Sequence, residues 1–386
     1  MKDMPPEPGQ TAQFSAPPVT GLTARWRRWR NRTVASRGFQ SWASQFPLTR
    51  RTARADGEAL FDLVAGFVHS QVLYALVELD LLAALNDAPG TAAAIADHHR
   101  LVPHRAQALL NAAVALGLLQ RVGDGYQTAR LGAAVLGVPG LSGMIQHHDV
   151  FYRDLADPIG MLRGESDTEL ANFWPYVFGA GAAGDPDMAK RYSNLMTDSQ
   201  ALVAEETLRA YRFPNTRHLL DIGGGTGAFL RAVGAHHPAI TLALFDLPAV
   251  VPEARERFAL AGLKDRATVH PGSFRDDALP MGADTVSLIR VLYDHSDDTV
   301  LKLLASVYSS LQNGGTIVIS EPMTGGENPH RAGDSYFAFY CMAMQTGRAR
   351  SPHEINELMR KAGFVEIQRH RTHRPFVTSV VSARKT

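Results

Sequence analysis

At 386 residues with 45% hydrophobic content, the chain can bury a full core and form two domains, or one with a large accessory part. A formal net charge of +1 excludes a polyelectrolyte and speaks against a general nucleic-acid binder. The one cysteine, Cys341, excludes an internal disulfide and suits a reducing cytoplasm, and no continuous apolar run reads as long enough to span a bilayer.

Residues 1–20 are rich in Pro, Gly, Ser and Thr and read as disordered. From Arg25 to Arg54 there is no acid, and nine arginines interleave with Trp26, Trp29, Phe39, Trp42 and Phe46. No apolar core follows them, so the stretch is not a signal peptide. Indole rings among cations suit an anionic membrane interface, or packing on protein. Residues 1–55 are therefore expected to be a disordered or membrane-associating leader.

From Asp56 the pattern turns helical. Leu60, Phe61, Val64, Phe67 and Val68 recur at helical spacing, and Val72 to Leu82 follow with almost no polar face, a pattern usually buried between subunits or domains. Thr91 is expected to cap a short helix and Pro103 to open another through Leu116. Leu118–Val122 then turns at Gly123-Asp124-Gly125 into Tyr126–Thr128. Helix, helix, hairpin is a winged helix, assigned to residues 56–140. Such domains often read DNA, so a regulator with a cofactor-sensing partner domain is a rival reading. Ala108–Val114 in the second helix presents no basic face to meet phosphates or base edges, which favours packing against protein.

Residues 141–213 place Phe151, Tyr152, Phe173, Trp174, Tyr176, Phe178 and Tyr192 among glycines and prolines, as a helical connector or lid over an apolar ligand would. Residues 214–386 alternate as a doubly wound α/β sheet does. Strands are expected at His218–Ile222, Thr241–Phe245, Ala267–His270, Asp284–Leu292 and Thr316–Ser320, with a closing hairpin of Val365–Arg369 and Thr378–Ala383. Ligands gather at the carboxyl ends of such strands, which puts Asp221, Asp246, Ser273, Phe274, Tyr293, Asp294, His295 and Glu321 on one rim.

The first strand breaks into Asp221-Ile222-Gly223-Gly224-Gly225-Thr226-Gly227 and restarts as a helix, a socket of bare amides for a partly anionic cofactor. Gly223, Gly225 and Ala228 also satisfy the loose dinucleotide fingerprint, with Asp246 near the offset of a ribose-binding acid, so a nicotinamide oxidoreductase is a distant rival. The acid before a triple glycine instead looks like the S-adenosylmethionine loop of class I methyltransferases.

That loop, Phe245-Asp246-Leu247-Pro248, Gly272-Ser273-Phe274, Tyr293-Asp294-His295-Ser296-Asp297, Ile319-Ser320-Glu321-Pro322 and the winged helix together resemble the plant-type small-molecule O-methyltransferases and their bacterial relatives, over roughly residues 57–384. Arg290-Val291-Leu292-Tyr293-Asp294-His295, Arg374-Pro375-Phe376-Val377-Thr378-Ser379 and the basic leader resemble the hydroxycarotenoid O-methyltransferases of purple phototrophic bacteria. The resemblance implies a Rossmann-like class I methyltransferase domain behind a mainly α winged-helix dimerisation domain, a homodimer, and transfer of methyl from S-adenosylmethionine to the tertiary 1-hydroxyl of an acyclic carotenoid. Another pigment or polyketide, tetrapyrrole or aromatic, is the closest alternative acceptor.

The residues expected at the cofactor are Asp221, Gly223, Gly225, Asp246, Leu247, Ser273, Phe274 and Arg290. Those expected at the substrate are Phe151, Trp174, Tyr192, Met196, Phe337 and Tyr340, and those for catalysis are Tyr293, His295, Asp294 and Glu321. The family's general-base histidine is here Tyr293, a poor base at neutral pH. His295 titrates in the right range and would face the same side if the strand continued past Leu292. Glu321 matches one family carboxylate that orients the base; the other falls near Ala349, where no acid stands. The adjacent pairs His98-His99, His147-His148 and His236-His237 diverge by about 100° on helices and cannot chelate one ion, so no metal site is expected. The expected location is the cytoplasm, with peripheral membrane contact through residues 25–54.

Overall fold

The computed structural model describes residues 21–173 and 200–386. The chain divides into two compact units, one ending at Gln71 and one beginning at Val72.

The first unit holds helices α1 (Leu22–Val34) and α2 (Arg37–Gln45) and most of α3 (Arg50–Glu78). Ser36 separates α1 from α2, its hydroxyl accepting the Phe39 amide at 3.4 Å. The expected leader is thus helical from Leu22 onward, and its expected end at residue 55 falls inside α3. The structure also corrects the reading of membrane spans: α3, with 29 residues, is long and apolar enough by length and composition to cross a bilayer. Asp62 and His69-Ser70-Gln71 interrupt its apolar run, which is why no continuous run was legible.

In the second unit, α4 (Leu81–Asp87), β1 (Gly90–Thr91), α5 (Ala92–His98), α6 (Pro103–Ala115), β2 (Leu119–Val122) and β3 (Gly125–Thr128) build the winged helix. Its three strands pair antiparallel in the order β1-β3-β2. Thr91 caps α5 by accepting the Ala94 amide at 3.3 Å, and Pro103 opens α6, where a missing N–H costs nothing. Leu76, Leu81, Leu82, Leu110, Leu119 and Tyr126 form its core. Helices α7 (Arg130–Gly137), α8 (Leu141–Asp154), α9 (Pro158–Arg163) and α10 (Glu169–Phe173) follow, then a helix over 200–210, α11.

The large sheet has strands β4 (His218–Ile222), β5 (Thr241–Asp246), β6 (Ala267–Pro271), β7 (Thr285–Ile289), β8 (Thr316–Glu321), β9 (Val365–His370) and β10 (Ser379–Arg384) in the order β6-β5-β4-β7-β8-β10-β9. The first five are parallel and β10 runs antiparallel between β8 and β9. Every residue of β7 is buried, as a strand covered on both faces requires. Helices α12 (Ala228–His236), α13 (Val251–Leu260), α14 (Asp297–Ser310) and α16 (Pro352–Lys361) belong to the same domain, and α15 (Ala338–Met344) precedes α16. The chain leaves β4 toward β5 and β6 and returns to β7 on β4's other side. That reversal opens a crevice at the carboxyl ends of β4 and β7.

Candidate active site

Asp221, one residue before the end of β4, is fully buried. Its Oδ1 accepts the Ser287 hydroxyl of β7 at 2.6 Å, and its Oδ2 has no hydrogen-bond partner among the described residues. Burial raises its pKa to about 7 against the pull of the Ser287 hydrogen bond. Gly223, Gly225 and Gly227 stand at φ of 69°, 59° and 76°, left-handed values that side chains other than glycine rarely adopt. A Cβ on Gly224 would lie 2.1 Å from Asp221 Oδ2, so only glycine leaves that oxygen room. At the end of β5, Asp246 accepts the Gly225 amide on Oδ2 and the Leu247 amide on Oδ1, each at 2.7 Å. Each oxygen keeps a further lone pair. A buried acid with an idle oxygen, a bare glycine turn and a second carboxylate pinned beside it fit a cofactor with a cationic amino-acid end and a ribose.

After β6, the Ser273 amide donates to Asp277 Oδ2 at 2.8 Å and its hydroxyl to Asp276 Oδ2 at 3.0 Å, so Ser273 builds its own turn. Phe274 meets the His295 ring edge-on at 5.2 Å. Arg275 Nη2 donates to His295 Nδ1 at 3.1 Å. His295 is buried, and burial with the charges of Arg275 and Arg350 lowers its pKa to about 4. That makes it an uncharged imidazole at neutral pH, with Nδ1 taken by Arg275.

The fourth strand, expected over Asp284–Leu292, is shorter, and the continuation that would have let His295 share a side with Tyr293 is absent. β7 stops at Ile289, Arg290 takes φ 58°, and Leu292–Asp294 form a 3-10 turn, so Tyr293 and His295 do not share one side of a strand. Tyr293 is buried, its ring facing Phe337 at 6.5 Å and its hydroxyl accepting from Arg290 Nη2 at 3.2 Å. Burial raises the phenol pKa far above its usual value despite the neighbouring guanidinium. Burial also raises Asp294 to about 8, with Arg290 opposing and Glu321 adding to the rise. Asp294 Oδ1 is buried without a hydrogen-bond partner among the described residues.

The turn is held from afar. Glu321 Oε2, at the end of β8, accepts the amides of Leu292 at 2.9 Å and Tyr293 at 3.3 Å. Arg350, fully buried, donates Nη1 to Leu292 O at 2.8 Å, Nη2 to His295 O at 2.7 Å and Nε to Asp297 Oδ1 at 2.7 Å. A Cβ on Gly347 would stand 2.2 Å from Tyr293 O. Sequence reasoning noted Gly347–Ser351 only for an acid missing there. An arginine flanked by Ala349 and a helix-capping Ser351 was the available signal for a buried clamp.

Of the expected substrate residues, Phe151 and Tyr340 meet at 5.3 Å and Phe337 packs with Tyr293, Cys341 and Ala349. Tyr336 stacks on Tyr340 at 5.9 Å. His147 and His148, adjacent on α8, separate onto the hydroxyls of Tyr340 at 2.9 Å and Tyr336 at 2.7 Å. Trp174, Tyr192 and Met196 lie outside the described residues. Among the described residues no group of three His, Cys, Asp or Glu side chains could hold a metal ion.

Comparison with known proteins gives two family matches, an O-methyltransferase domain over residues 152–365 and an O-methyltransferase dimerisation domain over 61–137. The chain is 54% identical to demethylspheroidene O-methyltransferase of Cereibacter sphaeroides over 91% of its own length and 93% of the relative's. It is 48% identical to the protein of that name from Rhodobacter capsulatus, over 92% and 88%. Human N-acetylserotonin methyltransferase, solved in complex with S-adenosylmethionine, superposes with a TM-score of 0.73 at 25% identity, over 86% of this chain and 97% of that one.

Proposed function

This chain belongs to the S-adenosylmethionine-dependent O-methyltransferases, and from that premise we propose that it methylates the tertiary 1-hydroxyl of an acyclic carotenoid. The supporting observation is the likeness along most of both chains to two demethylspheroidene O-methyltransferases. S-adenosylmethionine supplies, when bound, a methyl group on a cationic sulfur that needs no further activation. Asp221 Oδ2 is suited to the cofactor's ammonium and Asp246 to its ribose hydroxyls, with Leu247, Ser273 and Phe274 toward the adenine. Arg290 and Tyr293 hold the acceptor hydroxyl, Tyr293 as a hydrogen-bonding group and not a base. Asp294 Oδ1, once ionised, would take the proton that the acceptor hydroxyl gives up as the methyl passes from the cofactor's sulfur to the acceptor oxygen. Glu321 touches neither reactant and sets the Tyr293 turn through two backbone amides. Alignment contributes most of the rate, since well-oriented reactants gain about 7–11 kcal/mol over the bimolecular reaction.

Two copies pair through the dimerisation domain, with the apolar residues Leu60–Val68 of α3 in the interface, and the enzyme works in the cytoplasm beside the membrane that dissolves its acceptor.

The test is incubation of the purified chain with methyl-labelled cofactor and a panel of hydroxylated carotenoids, catechols and tetrapyrroles. Label should enter the polyene alcohol, at a rate rising with pH through about 8 as Asp294 ionises. Asp294→Asn should lose that rise and about a hundredfold in kcat. Label in a catechol or tetrapyrrole and none in the polyene would refute the assigned acceptor.

A further inference from the structure

Helices α1 and α2 lie outside both family matches, of which the first begins at residue 61. The methyltransferase fold therefore gives no reason for their composition. No residue of α1 is buried. Leu22, Trp26, Trp29 and Thr33 recur on one stripe of that helix, with Trp26 56% and Trp29 63% exposed. Arg25 and Arg32 flank the stripe on one side and Arg30 on the other, its guanidinium carbon 5.2 Å from the centre of the Trp26 ring. The pattern repeats in α2 and just beyond it. Phe39, Trp42 and Phe46 share a face, and Trp42, 49% exposed, stacks on Phe46 at 4.8 Å.

Among the described residues none of the arginines from Arg25 to Arg51 pairs with a carboxylate; the first of the leader to do so is Arg54, with Glu58 at 2.8 Å. A surface of indoles edged by uncompensated guanidiniums matches an anionic bilayer, where aromatic rings settle at headgroup depth and cations meet lipid phosphate. With 13 residues α1 is too short to span the hydrocarbon, which takes about 20. Nucleic acid would engage the arginines but leave both aromatic stripes in water.

We infer that α1 and α2 together are a docking surface for an anionic phospholipid bilayer, lying in its interface. The inference deepens the proposed function, in that it holds the enzyme where a lipid-dissolved acceptor is, but binding itself needs neither cofactor nor acceptor.

Three of the protein's four tryptophans, Trp26, Trp29 and Trp42, are on this surface, so their emission reports its docking. The full chain should float with phosphatidylcholine vesicles containing phosphatidylglycerol and not with phosphatidylcholine alone, with a blue-shifted tryptophan emission and weaker binding at high salt. Combined Arg25→Gln, Arg27→Gln, Arg28→Gln, Arg30→Gln and Arg32→Gln should weaken flotation at least about tenfold. Combined Trp26→Ser, Trp29→Ser and Trp42→Ser should weaken it even at low salt. Both variants should keep native turnover of detergent-dispersed acceptor. No flotation, flotation indifferent to phosphatidylglycerol, an unshifted emission, or preference for duplex DNA at matched salt would each overturn the inference. Flotation without methylation of any polyene would remove the proposed acceptor and leave this surface standing; methylation without flotation does the reverse.

Discussion

The two sides of the catalytic crevice are built by different means. On the cofactor side, Asp221 to Gly227 is a single run of chain whose shape follows from its own residues: a buried strand, an acid, and glycines at positive φ. Its outside support comes from the two strands that flank β4, through the Ser287 hydroxyl and the Asp246 carboxylate. On the acceptor side, the turn from Arg290 to His295 is shaped by groups remote in sequence: Glu321, Gly347 and Arg350. On the roles proposed above, cofactor binding would be shaped locally and acceptor presentation by the rest of the fold.

The largest effect expected from that difference is at Arg350. Arg350→Ala removes a fully buried side chain and strips partners from two carbonyls, Leu292 O and His295 O. Its ion pair with Asp297 counts for less, because Asp297 is half exposed. The loss of stability should be about 3–5 kcal/mol, most of it from the cavity and from His295 O losing its guanidinium, since Leu292 O keeps the His295 amide at 3.1 Å. Urea denaturation measures it. Arg350→Lys should recover little, since one ammonium cannot reproduce three directed bonds. A native midpoint in Arg350→Ala would mean that the turn holds itself, and the contrast between the two sides would disappear.

The next largest effect is on the cofactor side. The folded-state pKa of Asp221 is raised from 3.8 to about 7, so its contribution to stability is complete below pH 3.8 and is lost as the pH rises through about 7. Glu321, raised from 4.5 to about 7, and Asp294, raised from 3.8 to about 8, act in the same direction. The cofactor-free protein should therefore lose stability between about pH 4 and 8. Cofactor affinity should run oppositely, rising with pH as Asp221 ionises to meet an ammonium. Asp221→Asn should flatten the affinity slope, remove Asp221's share of the stability slope and weaken the cofactor about tenfold to a hundredfold by calorimetry, the range of a hydrogen bond to a charged group. An unchanged affinity with an unchanged pH slope would show that Asp221 serves the sheet and not the ligand.

This asymmetry also decides what the sequence could disclose. β4, β5 and β8 announce themselves as apolar runs ending in acids, and Thr91, Pro103 and Ser351 mark helix starts by local chemistry. The cofactor loop is legible for the same reason. The acceptor turn is not, because Tyr293-Asp294-His295 is compatible with an extended strand until Glu321 and Arg350 capture its amides and carbonyls. Likewise His147 and His148 diverge on their helix as adjacent residues do, but which partners they meet, Tyr340 and Tyr336, is decided across the fold. Pairings across the fold leave no periodicity and no spacing to read.

The smallest expected effect separates Tyr293 from His295. A sequence view that puts both on one strand face makes them interchangeable candidates for one role. The turn gives Tyr293 to Arg290 and Phe337, and His295 to Phe274 and Arg275. Tyr293→Phe keeps the ring and its packing and removes one hydroxyl, so kcat should fall about fivefold, the worth of a single neutral hydrogen bond, with cofactor KM unchanged. His295→Ala should leave kcat nearly native and raise cofactor KM by about the same factor, since it loosens the Phe274 wall. Steady-state kinetics with each substrate varied in turn reads the split. If both variants lowered kcat alike, the two side chains would share the acceptor after all, and the turn would have to open during turnover to bring His295 round.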